Sequence, residues 1–139
     1  MRTKILIATH GRFAEGIKDS LQMITGIYDD IEAICAYSRK DIDYRDLIES
    51  KVKEHDYTTS NLLVITDLVG GSVNNEFMKH IKDYPFYLVG GLNLGLLLEL
   101  VMQKDDLDEE SIRSCCSNGE KFIVFCNDCL ENKYVESDF

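Results

Sequence analysis

The chain has 139 residues, 45% of them apolar, which is enough for one domain spanning 1–139 to bury its own core without a metal or disulfide. Its formal charge of −10 argues against nucleic-acid binding, which requires clustered lysines and arginines. No stretch approaches the roughly 20 apolar residues of a membrane span, and the amino terminus carries no secretory h-region, so a cytoplasmic protein is expected.

The apolar run Lys4-Ile5-Leu6-Ile7-Ala8-Thr9 reads as a buried strand. It ends on His10 and breaks into Gly11-Arg12-Phe13-Ala14-Glu15-Gly16. Phe13, Ile17, Leu21 and Ile24 then recur at helical spacing, with Gly26 as the stop. Residues 31–37 form a second strand ending at Tyr37, and 43–55 a polar helix with Leu47, Ile48 and Val52 inward. Residues 61–66 are apolar enough for a central third strand. It runs into Asp67-Leu68-Val69-Gly70-Gly71-Ser72, where Ser72 suits a helix N-cap, with Phe77 and Ile81 facing inward behind it. Pro85 opens a fourth strand over 86–89. Gly90-Gly91-Leu92-Asn93 leads into an apolar helix over 94–102, a short acidic helix covers 108–117, and a last strand is expected over 121–125.

Alternating strands and helices at this spacing make an α/β, three-layer sandwich around a mostly parallel sheet. With the order 2-1-3-4 and the last strand at an edge, strands one and three are neighbours at the topological switch point. Their carboxyl ends carry His10 and Asp67, side by side where such sheets bind ligands. A carboxylate on one imidazole nitrogen fixes the tautomer and leaves the other nitrogen's lone pair free as a nucleophile. Gly70, Gly71 and Ser72 can turn backbone N–H groups and a hydroxyl toward an anion, and Gly90 and Gly91 can do the same from the next loop. These are the parts that phosphoryl transfer needs.

Each part also has a plainer reading. His10 can be a loop histidine, Asp67 a helix cap, the glycine pairs simple turns and Arg12 a solvent-facing charge. His55 and His80, on polar helices, are expected to be exposed and idle. What favours a site is the convergence of three separated loops on one sheet edge.

The five cysteines, an odd number, are expected to be reduced. Cys126-Asn127-Asp128-Cys129 together with Cys115-Cys116 could offer four thiolates to zinc, but adjacent cysteines chelate poorly and Cys126 should point into the sheet. No metal and no cofactor are expected.

Three segments carry a family resemblance: Thr9-His10-Gly11 with Phe13-Ala14-Glu15-Gly16; Thr66-Asp67-Leu68-Val69-Gly70-Gly71-Ser72; and Gly91-Leu92-Asn93-Leu94 followed by Leu97-Leu98-Glu99. In order and spacing they resemble the IIA components of the mannose/fructose/sorbose family of the phosphoenolpyruvate-dependent sugar phosphotransferase system (PTS), over nearly the whole chain. The resemblance implies that His10 accepts a phosphoryl group from the carrier protein HPr and passes it to a IIB component. That component phosphorylates sugar entering through the membrane IIC/IID permease. It further implies that Asp67 orients His10, that Gly11, Gly70, Gly71 and Ser72 lie at the phosphate, and that the protein is a homodimer with its last strand exchanged or packed across the interface. Because the chain stops after that strand, IIB is expected as a separate polypeptide. The family usually has proline after Gly-Gly-Ser; here Val73 stands there, followed by Asn74 and Asn75.

Rival readings are weaker. A receiver domain would need an acidic pair after strand one and a lysine after strand five, where this chain has Thr9-His10 and Cys126-Asn127. An R-H-G phosphohistidine hydrolase would need arginine where Thr9 stands. Neither G-x-x-x-x-G-K-[ST] nor a strand-borne G-x-G-x-x-G is present for a nucleotide. A regulatory module of the same fold, phosphorylated without supporting sugar flux, stays open.

Overall fold

The computed structural model describes residues 1–131. Strand β1 (Thr3–His10) lacks the alternation of a half-exposed strand, since Ile5, Leu6, Ile7 and Ala8 are all buried. A strand covered on both faces belongs inside a parallel sheet. It is flanked by β2 (Ile31–Ala36) and β3 (Asn61–Thr66), and β4 (Tyr87–Gly90) pairs beyond β3. The order is β2-β1-β3-β4, with every pairing parallel, as the sequence predicts.

Among the described residues, five helices cover this sheet: α1 (Phe13–Thr25), α2 (Tyr44–Glu54), α3 (Ser72–Met78), α4 (Leu94–Met102) and α5 (Glu109–Ser117). Successive strand residues point to opposite faces, and this splits the core in two. Ile5, Ile7, Leu63 and Ile65 pack with Leu21, Leu97 and Leu100 under α1 and α4. Leu6, Ala8 and Val64 pack with Ile48, Val52 and Phe77 under α2 and α3. The helix ends are chemically specified. Gly26 closes α1 at φ +69°, Asp43 and Asn93 accept first-turn N–H groups of α2 and α4, and Asp108 with Ser111 forms a capping box on α5. At the opposite edge from His10, Asp30 holds Arg2 and Lys104. The Arg2 guanidinium is the main reason its carboxyl lies below the usual range.

Five local expectations are corrected. Tyr37 lies outside β2, in a left-handed turn at φ 63°. Ser72 is the first residue of α3, whose N-cap is Gly71. Ile81 lies beyond the end of α3 and is exposed, while Phe77 faces inward as expected. Residues 121–125 form no strand: a 3-10 turn at Gly119–Phe122 is followed by extended chain and a second turn at Cys126–Glu131. Phe122 diverts the segment. Its ring lies on Gly95 of α4, where an added Cβ would stand 2.3 Å from Cδ1, and Lys121 Nζ pairs with Glu99 at 3.0 Å. The chain is thereby held on α4 rather than beside a strand, where its backbone groups would find ladder partners. Cys126, expected to point into the sheet, is exposed instead.

Candidate functional site

The parallel register of β1 and β3, with Ala8 opposite Thr66, brings their carboxyl ends to one edge. There the Asp67 Oδ2 accepts two hydrogen bonds from His10, one from its backbone N–H at 2.9 Å and one from its ring Nδ1 at 2.8 Å. The other oxygen accepts the Leu68 N–H at 3.0 Å. An ionised carboxylate can only accept, so the ring proton resides on Nδ1 and Nε2 keeps its lone pair. Burial raises the Asp67 carboxyl, but the bonds from the His10 backbone and ring and from Leu68 outweigh it, and the group lies below its ordinary value.

Nε2 faces Ser72 Oγ at 3.0 Å. Since this nitrogen is an acceptor, the serine hydroxyl donates to it. Tyr37 in turn donates its hydroxyl to Ser72 Oγ at 3.1 Å. A single run of donors therefore leads from Tyr37 through Ser72 and His10 to Asp67. The His10 side chain is 42% exposed and that of Asp67 only 11%, so the imidazole is open to solvent while the carboxylate stays shielded.

The loops are held by their own bonds. The Thr9 hydroxyl accepts the Ala14 N–H at 2.7 Å and so anchors α1 directly behind His10. The buried Asn74 bridges Thr66 Oγ1 at 2.8 Å and the Gly70 N–H at 3.2 Å, and Asn75 donates to the Gly70 carbonyl. Gly11 and Gly70 take φ of +57° and +77°, which suit glycine. A Cβ on Gly71 would stand 3.1 Å from the Leu68 Cβ and 3.6 Å from His10 Cε1. In this structure the amides of Gly11 and Gly71 donate to the Ala36 and Leu68 carbonyls. Those of Gly91 and Leu92 both donate to Thr66. The side chain of Val73 packs into the core.

His10, Asp67 and Ser72 thus come together with Gly71 beside them, and Tyr37, which sequence reasoning placed at a strand end, joins them. A usable signal existed, because β2 flanks β1 and a polar-tipped residue at its carboxyl end must lie near His10. Arg12 stands exposed at the N-cap of α1. His55, expected to be exposed, is half-buried at the end of α2, and its Nε2 lies 3.0 Å from the Ser60 carbonyl. His80 is half-buried beyond the end of α3, with its ring against Tyr84. Burial pushes the thiols of Cys115 and Cys116 up, which favours the inert thiol form. Among the described residues no helix is long and apolar enough to cross a membrane.

Residues 4–115, from β1 through most of α5, match the family model described as "PTS system fructose IIA component". The chain belongs to this PTS IIA family. Its members are components of phosphotransfer systems. Solved structures agree. A candidate phosphoenolpyruvate-dependent sugar PTS permease from Klebsiella pneumoniae is 34% identical, with 94% of this chain and 95% of that one covered, at a TM-score of 0.85. The PTS component EIIA of Streptococcus agalactiae is 26% identical over 91% of this chain and 99% of its own, TM-score 0.75. The mannose/sorbose-specific IIA subunit from Enterococcus faecalis is 25% identical over 98% and 100%, TM-score 0.70. The family match includes every element that builds the IIA site and stops before Phe122, where the expected strand is not formed.

Proposed function

We propose that this IIA protein, working as one domain over 1–139, is a cytoplasmic phosphoryl carrier that accepts phosphate from phospho-HPr on His10 Nε2 and passes it to a IIB component. The observation that carries this reading is the exposed imidazole whose Nδ1 is held at 2.8 Å by Asp67 while Nε2 faces outward to Ser72. The Nε2 lone pair forms a bond to phosphorus as the donor's N–P bond breaks and its electron pair returns to the donor nitrogen. The Nδ1 proton stays against Asp67, whose charge stabilises the ring as it becomes cationic. Ser72 supplies a hydroxyl to the phosphoryl oxygens, and Gly11, Gly70 and Gly71 shape the loops around them. Transfer to IIB reverses these steps, and the sugar enters through the IIC/IID permease without touching this chain.

Discharge tests carrier against regulator. The phosphorylated protein, mixed with the cognate IIB, is expected to lose its label within seconds as IIB gains it. Label that stays on His10 in the presence of active IIB would sink the carrier reading and favour the regulatory one.

We also propose a homodimer. Ile123, Val124 and Phe125 are 79%, 55% and 68% exposed. The outer edge of β4 has no strand partner among the described residues, and a groove of about 520 Å³ separates it from α5. An apolar run without a ladder and an edge without a strand are complementary between two copies. Sedimentation should give twice the chain mass, and Val124→Asp with Phe125→Asp should give monomers. A native monomer at micromolar concentration would overturn the dimer.

A further inference from the structure

We propose that Tyr37 is a positioning residue for phosphoryl transfer, acting through Ser72 to aim the serine hydroxyl at the atom that bonds phosphorus. The proposal rests on His10 Nε2 being the acceptor and adds a residue and a direction of hydrogen bonding to that reading. The Tyr37 hydroxyl donates to Ser72 Oγ at 3.1 Å, and Ser72 Oγ lies 3.0 Å from Nε2. The Tyr37 ring stands 5.6 Å from the His10 ring and 5.8 Å from that of Tyr44.

The placement is not a by-product of core packing, because Tyr37 is 60% exposed. Its backbone nevertheless takes the left-handed conformation at φ 63°, which a bulky side chain rarely adopts. The turn that follows β2 is built to hold it there. Ser38 Oγ donates to the Cys35 carbonyl at 2.5 Å and lies 3.1 Å from Tyr44 Oη, and the Gly11 N–H donates to the Ala36 carbonyl at 2.8 Å. The Tyr44 hydroxyl is thus engaged with Ser38, while that of Tyr37 reaches over the site.

A serine hydroxyl has one proton and a freely turning rotor. Accepting the Tyr37 bond fixes the oxygen, so the Ser72 proton points away from Tyr37 and toward Nε2. When phosphorus bonds Nε2, the lone pair that Ser72 contacted is consumed. The same proton then has the phosphoryl oxygens as its nearest acceptors, and no proton leaves either hydroxyl. Hydrogen bonds to a charged acceptor are stronger than to a neutral one, and each bond in a run polarises the next. The Tyr37–Ser72 pair therefore stabilises the phosphorylated state and the path to it more than the resting state.

The experiment compares Tyr37→Phe, Ser72→Ala and the double variant in single-turnover labelling from phospho-HPr, together with the ¹⁵N resonance of His10 Nε2 in ¹⁵N-enriched, unphosphorylated protein. Tyr37→Phe keeps the ring and should label about three- to tenfold more slowly. In the Ser72→Ala background the same change should have no further effect, because its route is already gone. The Nε2 resonance should move on Tyr37→Phe. A native rate and an unmoved resonance in Tyr37→Phe would overturn the proposal. So would an equal loss in the Ser72→Ala background, which would mean that Tyr37 acts directly. Label that persists in His10→Ala would instead sink the acceptor assignment beneath it.

Discussion

His10→Ala is expected to take up no phosphoryl group when incubated with phosphoenolpyruvate, enzyme I and HPr, whereas the native protein gains one acid-labile group by intact mass. The other histidines offer no substitute. His55 Nε2 is engaged with Ser60, just before β3 and so at the opposite end of the sheet from Asp67. His80 lies beyond α3, its ring against Tyr84. Loss of the imidazole should leave the fold intact. The His10 backbone N–H still donates to Asp67, and Ser72 keeps the Tyr37 bond. Since the removed ring is 42% exposed, little packing goes with it, and the stability change should stay within about 1 kcal/mol. Urea unfolding alongside the mass measurement separates lost chemistry from lost structure. Undiminished label on His10→Ala would place the acceptor elsewhere.

Asp67→Asn should remain folded and label about ten- to 100-fold more slowly, the loss that goes with one charge-assisted hydrogen bond. The amide fits badly in either orientation. With its oxygen toward His10 it serves both N–H donors, but its NH₂ then meets the Leu68 N–H, donor against donor. With its NH₂ toward His10 it opposes the His10 N–H and draws the ring proton to Nε2, blocking the nucleophile. Stability carries a second signature. The Asp67 carboxyl is depressed in the folded protein, so its contribution is present above the ordinary carboxylate range and is lost as pH falls through the lower folded value. The stability gap between native protein and Asp67→Asn should therefore shrink below about pH 4. A labelling rate equal to native would show that the carboxylate does not orient the ring.

The pairing of His10 with Asp67 was legible in the sequence because it needs only strand order. Two apolar runs that end in polar residues, placed next to each other in a parallel sheet, bring those residues to one edge. The contact between Ser72 and Nε2 was not legible. N-cap statistics pointed its side chain at its own helix, yet Gly71 holds the cap and frees the hydroxyl for His10. Strand order puts Tyr37 near His10, but its left-handed turn was hidden, since β propensity extends the strand through it and nothing local marks the turn. Residues 121–125 misled in the other direction: apolar and β-prone, they pack by Phe122 onto α4 and find no ladder.

By itself, then, the sequence determined the α/β class, the order 2-1-3-4, the two-sided core and the meeting of His10 with Asp67. The class and the two-sided core follow from hydrophobic periodicity and handed connections, which are local or depend on chain order alone, and the strand order, with the His10–Asp67 meeting that depends on it, follows from likeness to doubly wound sheets. Only the tertiary structure decided which nitrogen faces outward, that Ser72 and Tyr37 converge on it, and that the last apolar run stays off the sheet. Those depend on hydrogen bonds between residues 35 to 62 positions apart, or on whether an edge offers a partner. No window of sequence contains both members of such a pair.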